Sequence, residues 1–289
     1  MSKLLATLQR KPEWLKVRIP EGETCRKLSN MLGALQLHTV CEEALCPNRA
    51  ECWGNGTATF MLMGSICTRN CNFCSVKSAR HGEALDESEP RRIADAVRGM
   101  SLQYAVLTSV DRDDLPDFGA GHFAECISEI KKQNNGVKVE ALIPDFRGRK
   151  DCLEKIAGAK PDVIGHNIEV VERLQGIARD AKASYMQSLS VLRNAKLLDG
   201  KIFTKSSIML GLGETCAEVL KVMDDLLSVQ CDFLTLGQYL QPTKMNLPVV
   251  EFVVPEKFAE YREIALQKGF RRVESGPLVR SSYKAGEFP

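Results

Sequence analysis

The 289-residue sequence contains no long apolar run and no excess of either charge. Its longest apolar stretches, such as residues 59–63 and 247–254, fall far short of the roughly 20 residues that span a bilayer. The 39 basic and 37 acidic side chains nearly cancel, so no long-range field would hold the protein on nucleic acid or on a membrane surface. We therefore predict no transmembrane helix, no nucleic-acid partner and no membrane partner.

Secretion signals are also missing, and histidine is scarce. The first ten residues lack an unbroken apolar core and a small-residue cleavage site, which argues against secretion and favours a cytoplasmic protein. Of the four histidines, His81, His122 and His166 have no partner in the sequence that would mark a catalytic acid or base. Cysteine is plentiful instead. Eleven cysteines in a chain without a secretion signal indicate metal ligands or buried thiols rather than disulfides.

The sequence from residue 58 onward alternates short apolar runs with amphipathic stretches of helical length. This rhythm is typical of repeated β/α units with a parallel sheet. The predicted strands are 59–63, 104–110, 137–143, 163–168, 203–210 and 233–237, and a helix over 255–268 and a short strand follow them. We predict an α/β fold, a partial parallel (β/α)6 barrel over residues 58–242, with an N-terminal extension (1–57) and a C-terminal extension (243–289). Chemistry in such barrels lies on the loops that follow the strands.

A cysteine group directly follows the first predicted strand. Cys67, Cys71 and Cys74, here called the loop triad, form a CxxxCxxC pattern. Cysteine thiolates are the usual ligands of [4Fe–4S] clusters, and this spacing lets one loop hold three corners of a cubane. The fourth iron then stays open, as the metal of a catalytic site does. A zinc loop completed by a distant cysteine or histidine is the alternative, although zinc loops favour paired CxxC spacing.

The loop triad, at the end of the first strand of a six-unit barrel, resembles that of the radical S-adenosylmethionine superfamily. The resemblance implies that the open iron binds the amino acid end of S-adenosylmethionine and that Phe73 packs by its adenine. Residues 207–214 are similar to the superfamily's adenine-contacting GxIxGxxE pattern, although a strand followed by a glycine turn and a glutamate would also arise for structural reasons. The cofactor-binding residues that we expect are Phe73, Thr108, Asp111, Arg112, Asn167, Glu169, Ser207, Gly211 and Glu214.

A second cysteine group lies before the barrel. Cys41, Cys46 and Cys52, here called the auxiliary triad, form a CxxxxCxxxxxC pattern. Three thiolates within twelve residues suit a second cubane better than a disulfide, because three is an odd number. Zinc, with His38 as a fourth ligand, is the alternative.

The two triads and the terminal residues 280–283, Arg-Ser-Ser-Tyr, together resemble the lipoyl synthase family, and the similarity covers nearly the whole chain. One departure is Asn48-Arg-Ala-Glu51, where the family more usually has Asn-Ile-Gly-Glu. The resemblance implies that Ser282, rather than Ser281, ligates the fourth iron of an auxiliary [4Fe–4S] cluster. Spacing alone would make these residues an exposed polar tail.

The resemblance also implies an activity, the insertion of two sulfur atoms at C6 and C8 of a protein-bound octanoyl-lysine to form the lipoyl cofactor. A radical from S-adenosylmethionine would attack the unactivated C–H bonds, and the auxiliary cluster would donate the sulfur. The implied partners are an octanoylated lipoyl carrier domain or protein, a one-electron donor such as ferredoxin or flavodoxin, and an iron–sulfur carrier for cluster rebuilding. Two alternatives stay open: another radical sulfur-inserting enzyme, such as one resembling biotin synthase, and a two-cluster electron-transfer protein.

Overall fold

The computed structural model describes residues 10–16, 23–43 and 46–288. Its strands are β1 His38–Thr39, β2 Thr57–Leu62, β3 Ile66–Cys67, β4 Lys77–Ser78, β5 Tyr104–Ser109, β6 Lys138–Leu142, β7 Val163–Gly165, β8 Phe203–Leu210, β9 Phe233–Gln238 and β10 Arg272–Gly276. Its α-helices are α1 Glu23–Ala34, α2 Val40–Glu43, α3 Arg49–Gly54, α4 Glu89–Gly99, α5 Ala120–Gln133, α6 Lys150–Gly158, α7 Gln175–Ala178, α8 Tyr185–Leu198, α9 Cys216–Ser228 and α10 Pro255–Lys268. Short 3-10 turns lie at Glu13–Leu15, Phe146–Gly148, Glu172–Leu174 and Ala285–Glu287.

The described strands build one main sheet in the order β1-β2-β5-β6-β7-β8-β9-β10. Every neighbouring pair from β2 to β10 is parallel, and the short β1 pairs antiparallel with β2. The predicted partial parallel barrel is therefore confirmed. Strand β10, which follows α10, adds one parallel strand to the six predicted for the barrel. The domain boundaries at residues 57 and 242 stay a prediction.

Apolar residues recur at helical spacing in the longer helices, and some of these helices carry clear end signals. In α9 the side chain of Thr215 accepts the N–H of Glu218, whose carboxylate accepts the N–H of Thr215 in return. Helix α10 begins at Pro255 and ends before Gly269, which has a φ of +120°. None of the helices in the described ranges has the length and apolar character needed to cross a bilayer.

The two faces of the sheet pack against different partners. Ala105 and Leu107 of β5 belong to the core formed with the outer helices, whereas Tyr104 and Val106 form a separate cluster with Ala285. Since successive strand residues point to opposite faces, the strand register defines the inner face, here called the lumen. The lumen face includes Thr57, Thr59, Met61, Tyr104, Val106, Thr108, Glu140, Leu142, Lys205, Ser207, Phe233 and Thr235.

The bottom of the lumen, at the amino ends of the strands, is closed by a buried ion pair and by the C-terminus. Lys205 Nζ lies 2.9 Å from a Glu140 carboxylate oxygen, and the Tyr104 hydroxyl donates to the other oxygen at 3.0 Å. Phe288 places its ring centroid 5.0 Å from that of Phe233 and 4.4 Å from the Lys205 ammonium. The C-terminal residues therefore form the floor of the lumen.

Two candidate metal centres on the half-barrel

The loop triad lies on a closed lobe at the carboxyl end of β2. Strands β3 and β4 pair with each other, and the N–H of Ala79 donates to the carbonyl of Cys67 at 3.0 Å, so the two ends of the lobe are joined. The amide of Asn246, far along the chain, donates to the carbonyl of Cys74 at 2.8 Å. These contacts hold the three cysteines in place from both sides.

The sulfur atoms of the loop triad share a poorly solvated space. Burial raises the pKa of Cys67 to about 11 and that of Cys71 to about 12, and it also raises the pKa of Cys74. Each sulfur accepts one backbone N–H, from Arg69 at 3.4 Å, from Asp180 at 3.4 Å and from Val76 at 3.5 Å respectively. A positively charged metal centre would stabilise the thiolates here, and N–H donors to sulfur are a common part of iron–sulfur sites.

Arg69, inside the CxxxCxxC pattern, connects this lobe to the neighbouring loops. Its guanidinium is 4% exposed and donates to Asp113, which follows β5, at 3.1 and 3.0 Å. It also donates to Asp145, which follows β6, at 2.9 and 2.7 Å. Although burial opposes it, these hydrogen bonds lower the pKa of Asp145 to about 2. Arg69, Asp113 and Asp145 are residues of this candidate site that sequence reasoning missed. The available signal was their position just beyond the strands.

Several of the expected cofactor-binding residues do meet at the loop triad. The Asp111 carboxylate lies 4.0 Å from the Cys67 sulfur, and burial raises its pKa to about 6. Burial likewise raises the pKa of Glu169, and a negative charge on Glu169 would further raise the pKa of Cys71 and Cys74. Asn167 donates to Glu169 at 3.2 Å. Phe73 packs against the apolar core beside the lobe, and Thr108 and Ser207 lie on the lumen face.

The structure gives Arg112, Gly211 and Glu214 other partners. Arg112 forms an ion pair with Asp114 at 2.9 Å. Glu214 accepts the N–H groups of Gly211 at 2.6 Å and Leu212 at 3.0 Å, so both carboxylate oxygens hold the turn after β8. Gly211 has a φ of +99° and approaches the backbone of residue 251 so closely that a side chain would clash. Cofactor contact by these three residues, and by the other six that the sequence suggests, stays a prediction.

Sequence reasoning also missed Arg179. Its positive charge lowers the pKa of Asp111 and Glu169, against the effect of burial. Its Nη1 donates to Ser188 at 2.8 Å. No pattern in the sequence singled it out, because it lies beyond the short helix α7 rather than directly after a strand. Asp111 also lies 3.4 Å from the guanidinium of Arg69, so cations act on both carboxylates at the loop triad.

The auxiliary triad lies where the N-terminal and C-terminal parts of the chain meet. Asn48 donates to the carbonyl of Leu278 at 2.8 Å, and the Tyr283 hydroxyl donates to Glu51 at 3.2 Å. Burial raises the pKa of Cys41 and raises that of Cys52 to about 12, and a charge on Cys46 would raise both further. This triad and the loop triad lie toward opposite ends of β2, whose six residues span about 20 Å.

The C-terminal segment runs directly past the auxiliary triad. A charge on Cys46 would raise the pKa of Arg280, and the backbone N–H of Lys284 lies near enough to the Cys52 thiol to lower its pKa. Ser281 and Ser282 lie between these two contacts. Burial lowers the pKa of Arg280, and no carboxylate pairs with its guanidinium among the described residues. The guanidinium is half-buried and donates to the carbonyl of Val279 at 2.8 Å. An anionic cluster at the auxiliary triad would face this cation, so the residues fit such a group.

The geometry disfavours zinc at both triads. Among the described residues, only Glu89, His122 and Cys126 bring three His, Cys, Asp or Glu ligand atoms within 4.8 Å of one another. Tetrahedral zinc, with Zn–S near 2.3 Å, would hold its sulfurs within about 4 Å. The sulfurs of both triads are therefore spread wider than a single zinc ion requires. His38, the suggested fourth zinc ligand, is exposed and lies 3.1 Å from Glu43.

Within the Glu89, His122 and Cys126 cluster, Glu89 and His122 already hydrogen-bond each other. His122 Nε2 lies 2.5 Å from the Glu89 carboxylate, which also accepts the N–H of Met63 at 3.1 Å. Met63 has a φ of +65° at the end of β2. The pair thus supports the strained turn from which the loop-triad lobe departs, and it gives His122 the partner that the sequence did not reveal.

The chain is similar to known proteins over most of its length. The family model of the radical SAM superfamily matches residues 61–226, and that of the N-terminal domain of lipoyl synthase matches residues 4–46. The lipoyl synthase of Anaeromyxobacter dehalogenans (strain 2CP-C) is 55% identical over 278 residues, which are 96% of this chain and 94% of that protein. The mitochondrial lipoyl synthase of Danio rerio is 55% identical over 284 residues, 96% of this chain and 71% of that protein.

Solved structures resemble the chain in fold. Methylornithine synthase (PylB) gives a TM-score of 0.56 at 14% identity, over 88% of this chain and 72% of that chain. The FeFe-hydrogenase maturase HydG from Carboxydothermus hydrogenoformans gives a TM-score of 0.60 at 15% identity, over 85% of this chain and 63% of that chain. At these identities the likeness concerns the half-barrel alone.

Proposed function

Because the chain belongs to the lipoyl synthase family of radical S-adenosylmethionine enzymes, we propose that its two cysteine triads hold two [4Fe–4S] clusters with different tasks. The chain is a sulfur-inserting enzyme that forms the lipoyl cofactor at C6 and C8 of a protein-bound octanoyl-lysine. The observation that carries the division of tasks is the position of the triads. One lies on the loop after β2, and the other lies where the chain's two extensions meet.

The loop triad is proposed to hold the cluster that binds S-adenosylmethionine. When bound, this cluster and cofactor supply a one-electron cleavage that yields a radical able to remove hydrogen from an unactivated carbon. Cys67, Cys71 and Cys74 would be the ligands, and the backbone N–H groups that already face their sulfurs would stabilise the thiolates. Arg69, 3.4 Å from Asp111, and Arg179, whose charge lowers the pKa of Glu169, give this pocket groups of both signs, which suits an amino acid carrying both charges.

The auxiliary triad is proposed to hold the cluster that serves as the sulfur substrate, with Ser282 on its fourth iron. An oxygen ligand is harder than a thiolate and binds iron of such a cluster less strongly. The lumen between the two triads would receive the octanoyl chain. Its walls include apolar side chains such as Val106 and Leu142, and its floor is closed by Ala285 and Phe288, which would keep water from the reacting carbon.

The proposed partners follow from this chemistry. They are an octanoylated lipoyl carrier domain or protein, a one-electron donor such as ferredoxin or flavodoxin, and an iron–sulfur carrier that rebuilds the consumed cluster. We propose a cytoplasmic location, which the many free cysteines support because such compartments keep thiols reduced.

Two triple variants test the proposal. Replacing Cys67, Cys71 and Cys74 with alanine should abolish 5′-deoxyadenosine formation, while iron at the auxiliary triad remains. Replacing Cys41, Cys46 and Cys52 should leave 5′-deoxyadenosine formation intact and abolish lipoyl product from an octanoylated carrier. The single variant Cys152→Ala, at a buried cysteine outside both triads, is the control and should change neither readout.

The alternatives give different results in the same assay. A two-cluster electron-transfer protein would make no 5′-deoxyadenosine when S-adenosylmethionine and a reductant are added. Another radical sulfur-inserting enzyme would cleave the cofactor and leave the octanoylated carrier unchanged. Lipoyl product from the Cys41, Cys46 and Cys52 variant would rule out the auxiliary triad as the sulfur source.

A further inference from the structure

Trp53 carries a buried hydrogen-bond donor that lacks an acceptor. The residue follows Cys52 near the end of α3 and is 5% exposed. Its indole Nε1–H has no hydrogen-bond partner among the described residues. A buried N–H without a partner is unfavourable, and native structures rarely retain one without a reason.

The indole faces one corner of the auxiliary triad. Burial raises the pKa of the Cys41 thiol, and the Trp53 side chain acts in the opposite direction, as an N–H donor beside the sulfur does. The two groups nevertheless form no hydrogen bond of ordinary length and angle. The buried, unpartnered N–H therefore lies near a sulfur that would carry negative charge as a thiolate.

Arg49 holds the indole from one of its faces. Its guanidinium carbon lies 5.4 Å from the centre of the Trp53 ring, within the range of cation–π contacts. Its Nη1 lies 3.8 Å from Glu42, which follows Cys41 in the chain. The ring is thus fixed between two segments that both carry cysteines of the auxiliary triad.

Building on the proposed function, we propose that Trp53 is a positioning residue of the auxiliary centre, whose indole N–H donates to the sulfur at the Cys41 corner. Such a bond withdraws electron density from sulfur, so it favours the reduced state of the cluster and raises its reduction potential. It also holds the Cys41 thiolate in place. Loss of iron would then begin at another corner, which suits a cluster that opens at an oxygen ligand.

The test uses the protein with Cys67, Cys71 and Cys74 replaced by alanine and then loaded anaerobically, so that only the auxiliary cluster contributes. Trp53→Phe keeps an aromatic ring and removes the N–H. We expect a more negative midpoint potential and a several-fold faster loss of iron to a chelator. Trp14→Phe is the matched control, because Trp14 is the other tryptophan of the chain and is 41% exposed. Arg49→Ile should shift both readouts in the same direction, by less.

Three results would overturn the inference. The first is a midpoint potential for Trp53→Phe equal to that of Trp14→Phe. The second is a lower thermal stability of Trp53→Phe with an unchanged potential, which would indicate packing alone. The third is the absence of any cluster in the parent triple variant, which would refute the auxiliary site itself and is visible before Trp53 is changed.

Discussion

Among single residues, Arg69 lies between two cysteines of the loop triad and pairs with the buried carboxylates of Asp113 and Asp145. The side chains of Asp113 and Asp145 are 7% and 0% exposed where Arg69 meets them, so these charges depend on one another. Breaking a buried ion pair by removing one partner leaves an uncompensated charge, which costs about 3–5 kcal/mol. Through Arg69, the carboxylates of Asp113 and Asp145 on two neighbouring loops therefore hold the loop triad in position.

We predict that Arg69→Leu lowers the free energy of unfolding by about 3–5 kcal/mol and reduces iron loading at the loop triad. Adding Asp145→Asn should recover part of the loss, because the variant then buries no unpaired carboxylate at residue 145. Thermal unfolding and iron content measure both effects. Arg147→Leu is the control. Arg147 is 44% exposed and lies 3.5 Å from Asp113, so its loss should cost no more than about 0.5 kcal/mol. Equal stability of Arg69→Leu and Arg147→Leu would contradict the prediction.

We predict that the stability of the folded protein depends on pH through His166. Its Nδ1–H donates to the carbonyl of Ile143 at 2.9 Å, and its Nε2 accepts from Ser188 at 2.9 Å, so the buried ring is neutral. Burial lowers its pKa from 6.5 to about 4. As the pH falls, His166 therefore binds a proton at a higher pH in the unfolded chain than in the folded protein. The stability contributed by neutral His166 is present above pH 6.5 and is lost toward pH 4.

Wild-type protein should thus lose about 2 kcal/mol more than His166→Gln between pH 7 and pH 5. Urea unfolding of both proteins across this range measures the difference, and effects of other titrating groups cancel in the comparison. Parallel pH profiles for the two proteins would show that His166 does not titrate as its burial requires.

Among the secondary-structure elements, the sequence predicts the helices and strands that have a local pattern of apolar residues. It does not predict the contacts between residues that are far apart in the chain. Strand β8 and helix α10 have the predicted bounds, because apolar periodicity and flanking glycine and proline mark them. The pairing of β1 with β2 left no such signal, since β1 has only two residues. The partnership of Arg69 with Asp145 joins residues 76 positions apart, and only the closed half-barrel brings them together.

The ring of Phe288 holds the C-terminal 3-10 turn against the floor of the lumen. Phe288→Ala removes the ring that packs on Phe233 and Lys205, so the segment after Gly276 should detach more often. We expect several-fold faster tryptic cleavage after Arg280 and Lys284, measured by mass spectrometry on the cluster-loaded protein. Phe288→Tyr keeps the ring and serves as the control. Identical cleavage of the alanine variant and the wild type would mean that another contact holds the floor.

At the scale of the whole molecule, the two extensions meet although they lie at opposite ends of the sequence. Asn48 reaches the carbonyl of Leu278, and Glu51 accepts from Tyr283, at separations of 230 and 232 residues. Each contact is a single hydrogen bond, worth about 1 kcal/mol. A cluster bound by both extensions would add a far stronger link, because a group that binds only the native arrangement stabilises it.

The last prediction is that loading the auxiliary cluster protects the C-terminal segment from hydrogen exchange. In the protein with Cys67, Cys71 and Cys74 replaced by alanine, amides in residues 278–288 should exchange more slowly after loading than before, because local opening must now also break a ligand bond. Ser282→Ala should abolish this protection while iron content stays nearly normal, since three thiolates remain. Ser281→Ala should keep it. Protection confined to residues 46–53 would remove the C-terminus from the ligand set, and protection lost only in Ser281→Ala would move the ligand by one residue.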